Sequence, residues 1–194
     1  MAARPGLILL DRDGVLNRLL PNPAEPRPDS PMNAAQVAVF DWVPQVLREL
    51  TAAGYGLVVA SNQPAAAKGK TTRAALDAVH AEILRQAEAA GSVVLSSHIC
   101  FHRAEDRCAC RKPATGLLAE AFARHAGFER AASWMVGDRA TDVQAGAAFG
   151  LQTAYLGPLE GRAAELGALA ISPSFCGVDL RDFAVHLLDL QTGR

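Results

Sequence analysis

The chain has 194 residues, is 50% hydrophobic and balances 19 basic against 20 acidic side chains, for a formal net charge of -1. That content supports one domain, residues 1–194, with a full core, and the near-neutral charge supplies no basic field to attract nucleic acid, which leaves small solutes as the expected partners. No apolar run approaches the ~18 residues a bilayer requires, so we expect a soluble, cytoplasmic, monomeric protein without signal peptide, anchor or membrane contact.

In chain order, apolar runs bounded by turn residues occur at 7–10, 57–60, about 93–99, 134–136, 153–156 and 168–171, each predicting a buried strand. Helical spacing fills the gaps at about 42–53 (Val43, Val46, Leu47, Leu50), 71–90, 114–126 and 140–149, with a last helix near 179–190. Such alternation predicts an α/β fold, a Rossmann-like doubly wound parallel sheet. Pro21, Pro23, Pro26, Pro28 and Pro31 exclude a helix from 21–31 and predict an extended loop. No segment between strands is long enough for a large cap domain, so the site should be open. Trp42 and Trp134 are expected in the core. His80, His125 and His186 read as solvated or hydrogen-bonded structure, His98 as a packed strand residue, and Cys176 as a free thiol.

Four stations carry chemistry. Asp11-Arg12-Asp13-Gly14 follows the strand at 7–10 and delivers two carboxylates to its carboxyl end, where α/β sheets bind ligands. Asp11 can attack phosphorus and Asp13 can act as general acid and then base; a plain turn with Gly14 at positive φ is the alternative. Ser61-Asn62-Gln63 ends the strand at 57–60 and offers a hydroxyl and an amide to phosphoryl oxygens, or simply makes a turn. Arg111-Lys112-Pro113 sets two cations where Pro113 suits the first position of a helix; a solvated basic pair is the alternative. Gly137-Asp138-Arg139 follows the strand at 134–136, with Asp138 placed as a hard ligand for Mg2+. Asp142, one turn later, fits either a favourable first-turn charge or a supporting role behind the site.

A fifth cluster reads as metal. Cys100-x-His102, five residues, then Cys108-x-Cys110 supplies three thiolates and one imidazole, enough to close a tetrahedral Zn2+ site and leave no position for catalytic water. Such an ion is structural, fixing the loop that runs into Arg111 and Lys112. Without an export signal these cysteines do not suggest a disulfide framework.

The DxDG, SN, RKP and GDxxxD elements, in this order over roughly residues 7–157, resemble the four motifs of the haloacid dehalogenase-like phosphohydrolases. The resemblance implies Asp11 as nucleophile, Asp13 as general acid and base, Ser61 and Lys112 as phosphoryl ligands, and Mg2+ held by Asp11, the Asp13 backbone carbonyl and Asp138. The Cys/His loop leading straight into RKP, without a large cap, resembles the group of D-glycero-D-manno-heptose 1,7-bisphosphate 7-phosphatases and histidinol-phosphate phosphatases. It implies a small phosphorylated substrate, with Arg111 beside a second phosphate. Where that group commonly reads Ser-Gly-Ile-Ala-Arg-Gly after the SNQ position, this chain has Pro64-Ala65-Ala66-Ala67-Lys68-Gly69. A zinc-stapled phosphate-binding domain without chemistry is the remaining rival.

Overall fold

A computed structural model describes residues 6–22, 28–158, 166–167 and 172–192. Its frame is a six-stranded parallel sheet of β1 (Leu7–Leu10), β2 (Gly56–Asn62), β3 (Val94–Cys100), β4 (Trp134–Gly137), β5 (Gln152–Leu156) and β6 (Phe175–Gly177), in the order β3-β2-β1-β4-β5-β6. The helices are α1 (Val43–Ala52), α2 (Arg73–Ala87), α3 (Gly116–Arg124), α4 (Ala140–Phe149) and α5 (Leu180–Thr192).

Strand residues alternate between two cores because successive side chains leave a strand on opposite faces. Ile8, Leu10, Leu57 and Val59 pack with Val43, Leu47 and Leu50 of α1, Val79 and Ile83 of α2, and Phe183 of α5. Leu7, Leu9, Val58 and Ala60 face the other way, onto Leu117, Leu118 and Ala121 of α3 and Ala145 of α4. Being buried on both faces is why β1 reads as an unbroken apolar run.

The sequence order reverses at β1, which pairs with β2 on one side and β4 on the other. Crevices at such a switch point are where open α/β sheets bind ligands. The described residues between β1 and α1 form no separate cap. Short bridges between Asp13 and Asn17, Asn17 and Val39, and Leu20 and Asp29 fold them back over the end of β1.

Several expectations change. The final strand is Phe175–Gly177, and the run expected at 168–171 lies outside the described residues. Pro23 and Pro26 also lie outside them. Pro113 does not open a helix. The chain turns first, with Ala114 N donating to Arg111 O at 2.8 Å and Gly116 N to Ala109 O at 3.0 Å, so α3 starts at Gly116. Trp42 is half-buried rather than core because it precedes α1 at the rim and stacks on Phe40, centroids 5.0 Å apart. Trp134 is buried as expected, edge-on to Phe183 at 5.2 Å. No helix among the described residues is long and apolar enough to cross a membrane.

Candidate active site

The aspartate, serine and second aspartate loops leave the carboxyl ends of β1, β2 and β4, and the loop that carries Lys112 leaves β3, one strand further out. The register Leu10↔Val59 and Leu10↔Val136 brings Asp11, Ser61 and Asp138 to within one residue of a common level at the end of the sheet. Gly14 makes the approach possible. Its φ is +85°, and a Cβ built there would lie 2.2 Å from Asp138 Oδ2. Gly137 is equally constrained, since a Cβ would meet Asp142 Cγ at 2.2 Å.

At the centre, carboxylate oxygens of Asp11, Asp138 and Asp142 lie within 4.8 Å of one another. Lys112, fully buried between them, reaches Asp11 Oδ1 at 3.2 Å and Asp142 Oδ1 at 2.5 Å and donates to Ala60 O at 2.6 Å. Burial alone pulls the Lys112 ammonium down, yet the Asp11 and Asp142 charges outweigh it and raise its pKa. Three carboxylates against one ammonium leave surplus negative charge. Burial, then Asp11 and Asp142, push Asp138 well above the carboxylate range, and burial pushes Asp142 to about 6 against the pull of Lys112. Asp138 Oδ1 is buried without a hydrogen-bond partner, and Arg139 Nε stands 4.0 Å away. Such a set fits a hard divalent cation, which takes oxygen ligands and removes the repulsion.

Asp13 points into different company. Its carboxylate accepts from Gln63 Nε2 at 2.6 Å, Asn17 Nδ2 at 2.9 Å and Arg12 Nη2 at 3.1 Å. Burial would raise its pKa, but the Arg12 charge and these hydrogen bonds hold it below the usual range. Ser61 is buried beside it and accepts from Gln63 Nε2 at 3.0 Å. Asn62, expected at the phosphate, has both ends of its amide engaged. Nδ2 donates to Lys112 O at 3.0 Å and Oδ1 accepts from Lys112 N at 3.1 Å, clamping the lysine loop to β2. The two cations expected side by side are divided, for Arg111 lies towards the surface and donates to His102 O at 3.2 Å. Asp142 is no surface helix charge. It is buried against Lys112 and accepts from Arg139 N at 3.1 Å.

Beyond the loop, Cys100, His102, Cys108 and Cys110 converge. Cys110 Sγ lies 3.3 Å from Cys100 Sγ, 3.4 Å from Cys108 Sγ and 3.3 Å from His102 Nδ1. Sulfur ligands ~2.3 Å from a tetrahedral zinc would stand roughly 3.7 Å apart, and Cys100 and Cys108 are 3.7 Å apart. Burial and neighbouring thiols push Cys110 up to about 12, whereas Cys108, despite burial, is lowered to about 7 by backbone and thiol hydrogen bonds. Three thiols this close cannot all ionise without a cation.

The HAD-hydrolase-like family model matches residues 109–183. D-glycero-beta-D-manno-heptose-1,7-bisphosphate 7-phosphatase of Pseudomonas putida is 34% identical over 151 residues, 75% of this chain and 79% of the relative. The chain belongs to this phosphatase family. The alpha-anomer enzyme of Mycobacterium tuberculosis is 31% identical over 140 residues, 71% of this chain and 69% of the relative. The solved heptose bisphosphate phosphatase of Bordetella bronchiseptica, complexed with magnesium and phosphate, superposes with a TM-score of 0.80 at 30% identity, covering 95% of this chain and 99% of that one.

The structure also shows groups that motif reading missed. Arg12 and Gln63 are buried and bonded to Asp13, and Asn17 completes the cage. His80, expected as solvated or hydrogen-bonded structure, has both ring nitrogens buried without hydrogen-bond partners, and burial followed by the Arg12 charge lowers its pKa to about 4. His98 packs as expected and pairs with Glu120 at 3.1 Å. His125 bonds Ser96 at 2.8 Å, His186 stacks on Phe175, and Cys176 is a free, exposed thiol.

Proposed function

We propose that this chain is a single-domain, Mg2+-dependent phosphomonoesterase that removes the 7-phosphate of D-glycero-D-manno-heptose 1,7-bisphosphate through an aspartyl-phosphate on Asp11. The observation that carries the reading is the convergence of Asp11, Asp138 and Asp142 on Lys112, in a chain 34% identical to such an enzyme. Asp11 attacks phosphorus, with the Lys112 ammonium 3.2 Å from its Oδ1. Lys112 and the Ser61 hydroxyl receive phosphoryl oxygens, while Asn62 fixes Lys112 through its backbone. Asp13 protonates the departing sugar oxygen and then takes a proton from the water that cleaves the acyl phosphate. Asp11, the Asp13 carbonyl and Asp138 would hold Mg2+, which when bound would offset negative charge so that one anion can approach another. Asp142 supports both Lys112 and the Asp138 loop from behind. Arg111, at the rim beside Lys112, serves the substrate's second phosphate. Zn2+ at Cys100, His102, Cys108 and Cys110 holds the loop that delivers Lys112.

The test is phosphate release, with and without Mg2+, from both anomers of heptose 1,7-bisphosphate, histidinol phosphate and p-nitrophenyl phosphate. We expect Mg2+-dependent turnover with kcat/KM on one heptose anomer about 100-fold above histidinol phosphate. A preference for histidinol phosphate, or release that ignores Mg2+, overturns the proposal.

A further inference from the structure

Gln63 stands one residue beyond β2 and is almost completely buried. Its backbone is fixed by N donating to Cys100 O at 2.6 Å. Its side chain is fixed by chemistry. Arg12 Nη2 lies 2.6 Å from Gln63 Oε1, and a guanidinium only donates, so the oxygen end of the amide must face it. The nitrogen end is thereby turned on Asp13 Oδ2 at 2.6 Å and Ser61 Oγ at 3.0 Å. A carboxylate only accepts, so this orientation satisfies both partners and the reverse one satisfies neither. Ser61 consequently receives a hydrogen bond on its oxygen and keeps its own proton free to donate.

Arg12 is the largest fully buried side chain among the described residues, with its carboxylate partner Asp13 at 3.1 Å. Asn17, also fully buried, closes the far oxygen at 2.9 Å and is itself anchored on Arg18 O at 3.1 Å. Every donor around Asp13 is thus held by a second contact. A carboxylate that only had to be soluble would need none of this.

We infer that Gln63, locked by Arg12, is a positioning residue for phosphoryl transfer, setting the Asp13 carboxyl for proton transfer to the leaving oxygen while turning the Ser61 hydroxyl towards the phosphoryl group. The inference rests on the acid and base role proposed for Asp13. It has a chemical signature that a merely structural role lacks. In the first half-reaction the bond between phosphorus and the leaving oxygen breaks, the phosphoryl group passes to Asp11, and the leaving oxygen takes the Asp13 proton. A sugar alkoxide cannot leave without that proton, whereas p-nitrophenolate can, being the anion of a far stronger acid. Because kcat/KM reports only steps up to leaving-group departure, misplacing Asp13 must penalise alkyl and aryl substrates unequally.

The experiment compares wild type, Gln63→Leu, Gln63→Glu and Asp13→Asn on the sugar phosphate that wild type turns over fastest and on p-nitrophenyl phosphate. General acid catalysis contributes about 10²–10⁴-fold. For Gln63→Leu we therefore expect kcat/KM on the sugar phosphate to fall at least about 100-fold and on the aryl phosphate by less than about 10-fold. Acid quenching with labelled aryl phosphate should show phosphoenzyme accumulating, since the misplaced Asp13 also fails to activate water. Gln63→Glu removes the same donors without creating a void and should show the same split, which keeps the test open if the leucine variant folds poorly. Equal losses on both substrates, or no loss on either, overturn the inference. Should Asp13→Asn itself lack the split, the acid role of Asp13 falls and the inference with it; a split there and none in the Gln63 variants overturns the inference alone.

Discussion

Replacing Lys112 with methionine tests the electrostatic core of the site, because it removes the cation and keeps most of the buried stem. At 3.2 Å from Asp11 Oδ1, an effective dielectric of about 20 gives an attraction of roughly 5 kcal/mol, and the contact with Asp142 adds a similar amount. Desolvation of the ammonium offsets several kcal/mol of this, so the net loss from breaking a buried pair should be about 3–5 kcal/mol. For a chain of this size that corresponds to a drop in Tm of roughly 6–20 °C. The drop should depend on pH with a definite sign. Asp142 titrates at about 6 and Asp138 well above the normal carboxylate range, so acidification below those values neutralises the orphaned carboxylates and the deficit should shrink by about pH 5. Saturating Mg2+ near neutral pH should restore part of the stability while phosphate release stays near zero. Thermal unfolding of both proteins across pH, with chelator or Mg2+, checks this. A Lys112→Met protein as stable as wild type near pH 8 without Mg2+, or a deficit that persists unchanged into acid, would refute the reasoning.

Asp11→Asn should abolish turnover and the acid-stable phosphoenzyme, yet leave the Mg2+-free Tm equal or higher, since it removes one charge from a site with surplus negative charge; a lowered Tm would contradict that charge balance. Colorimetric assay of the denatured protein should find one Zn2+ per chain, and Cys110→Ser should lose it together with most activity, because Lys112 lies two residues on; full activity in a zinc-free variant would detach the metal from the Lys112 loop. His80, lowered from 6.5 to about 4, stays neutral in the fold while the unfolded chain takes a proton, so stability is lost as pH falls through that window. The ceiling is about 3 kcal/mol from the pKa difference, and roughly 2 after allowing for its partial exposure. Urea midpoints should therefore fall less between about pH 7 and pH 4 in His80→Leu than in wild type, and parallel curves would remove His80 from the acid response.

What was legible follows from where the burial is. β1, β2 and β4 are covered on both faces, so Leu7–Leu10, Leu57–Ala60 and Trp134–Val136 appear as apolar runs whatever their neighbours. β6 has three residues with Cys176 exposed in the middle, and a strand that short leaves no run to read. His80 did leave a trace. It lies four residues after Leu76 and three before Ile83, on the edge of the buried stripe of α2. Trp42 left a misleading one, since an aromatic beside an apolar helix reads as core even when it caps the helix at a rim.

The cage around Asp13 was hidden for a different reason. Each motif reports which residues end a strand, but contact between motifs depends on register, and register is not written in any one segment. Leu10 pairs with Val59, so continuing both chains three residues brings Asp13 level with Asn62 and leaves Gln63 within one position of it. Two residues on from Leu10↔Val136, Arg12 comes level with Asp138. Arg12 occupies the undefined position between two aspartates and Gln63 the position after a Ser-Asn pair, so neither is a defining residue of the DxDG or SN element. A buried arginine is nevertheless rare unless paired. Its place between two acidic residues at the end of a sheet's central strand, with an amide at the end of the next, is the one sequence pattern that could have announced the network.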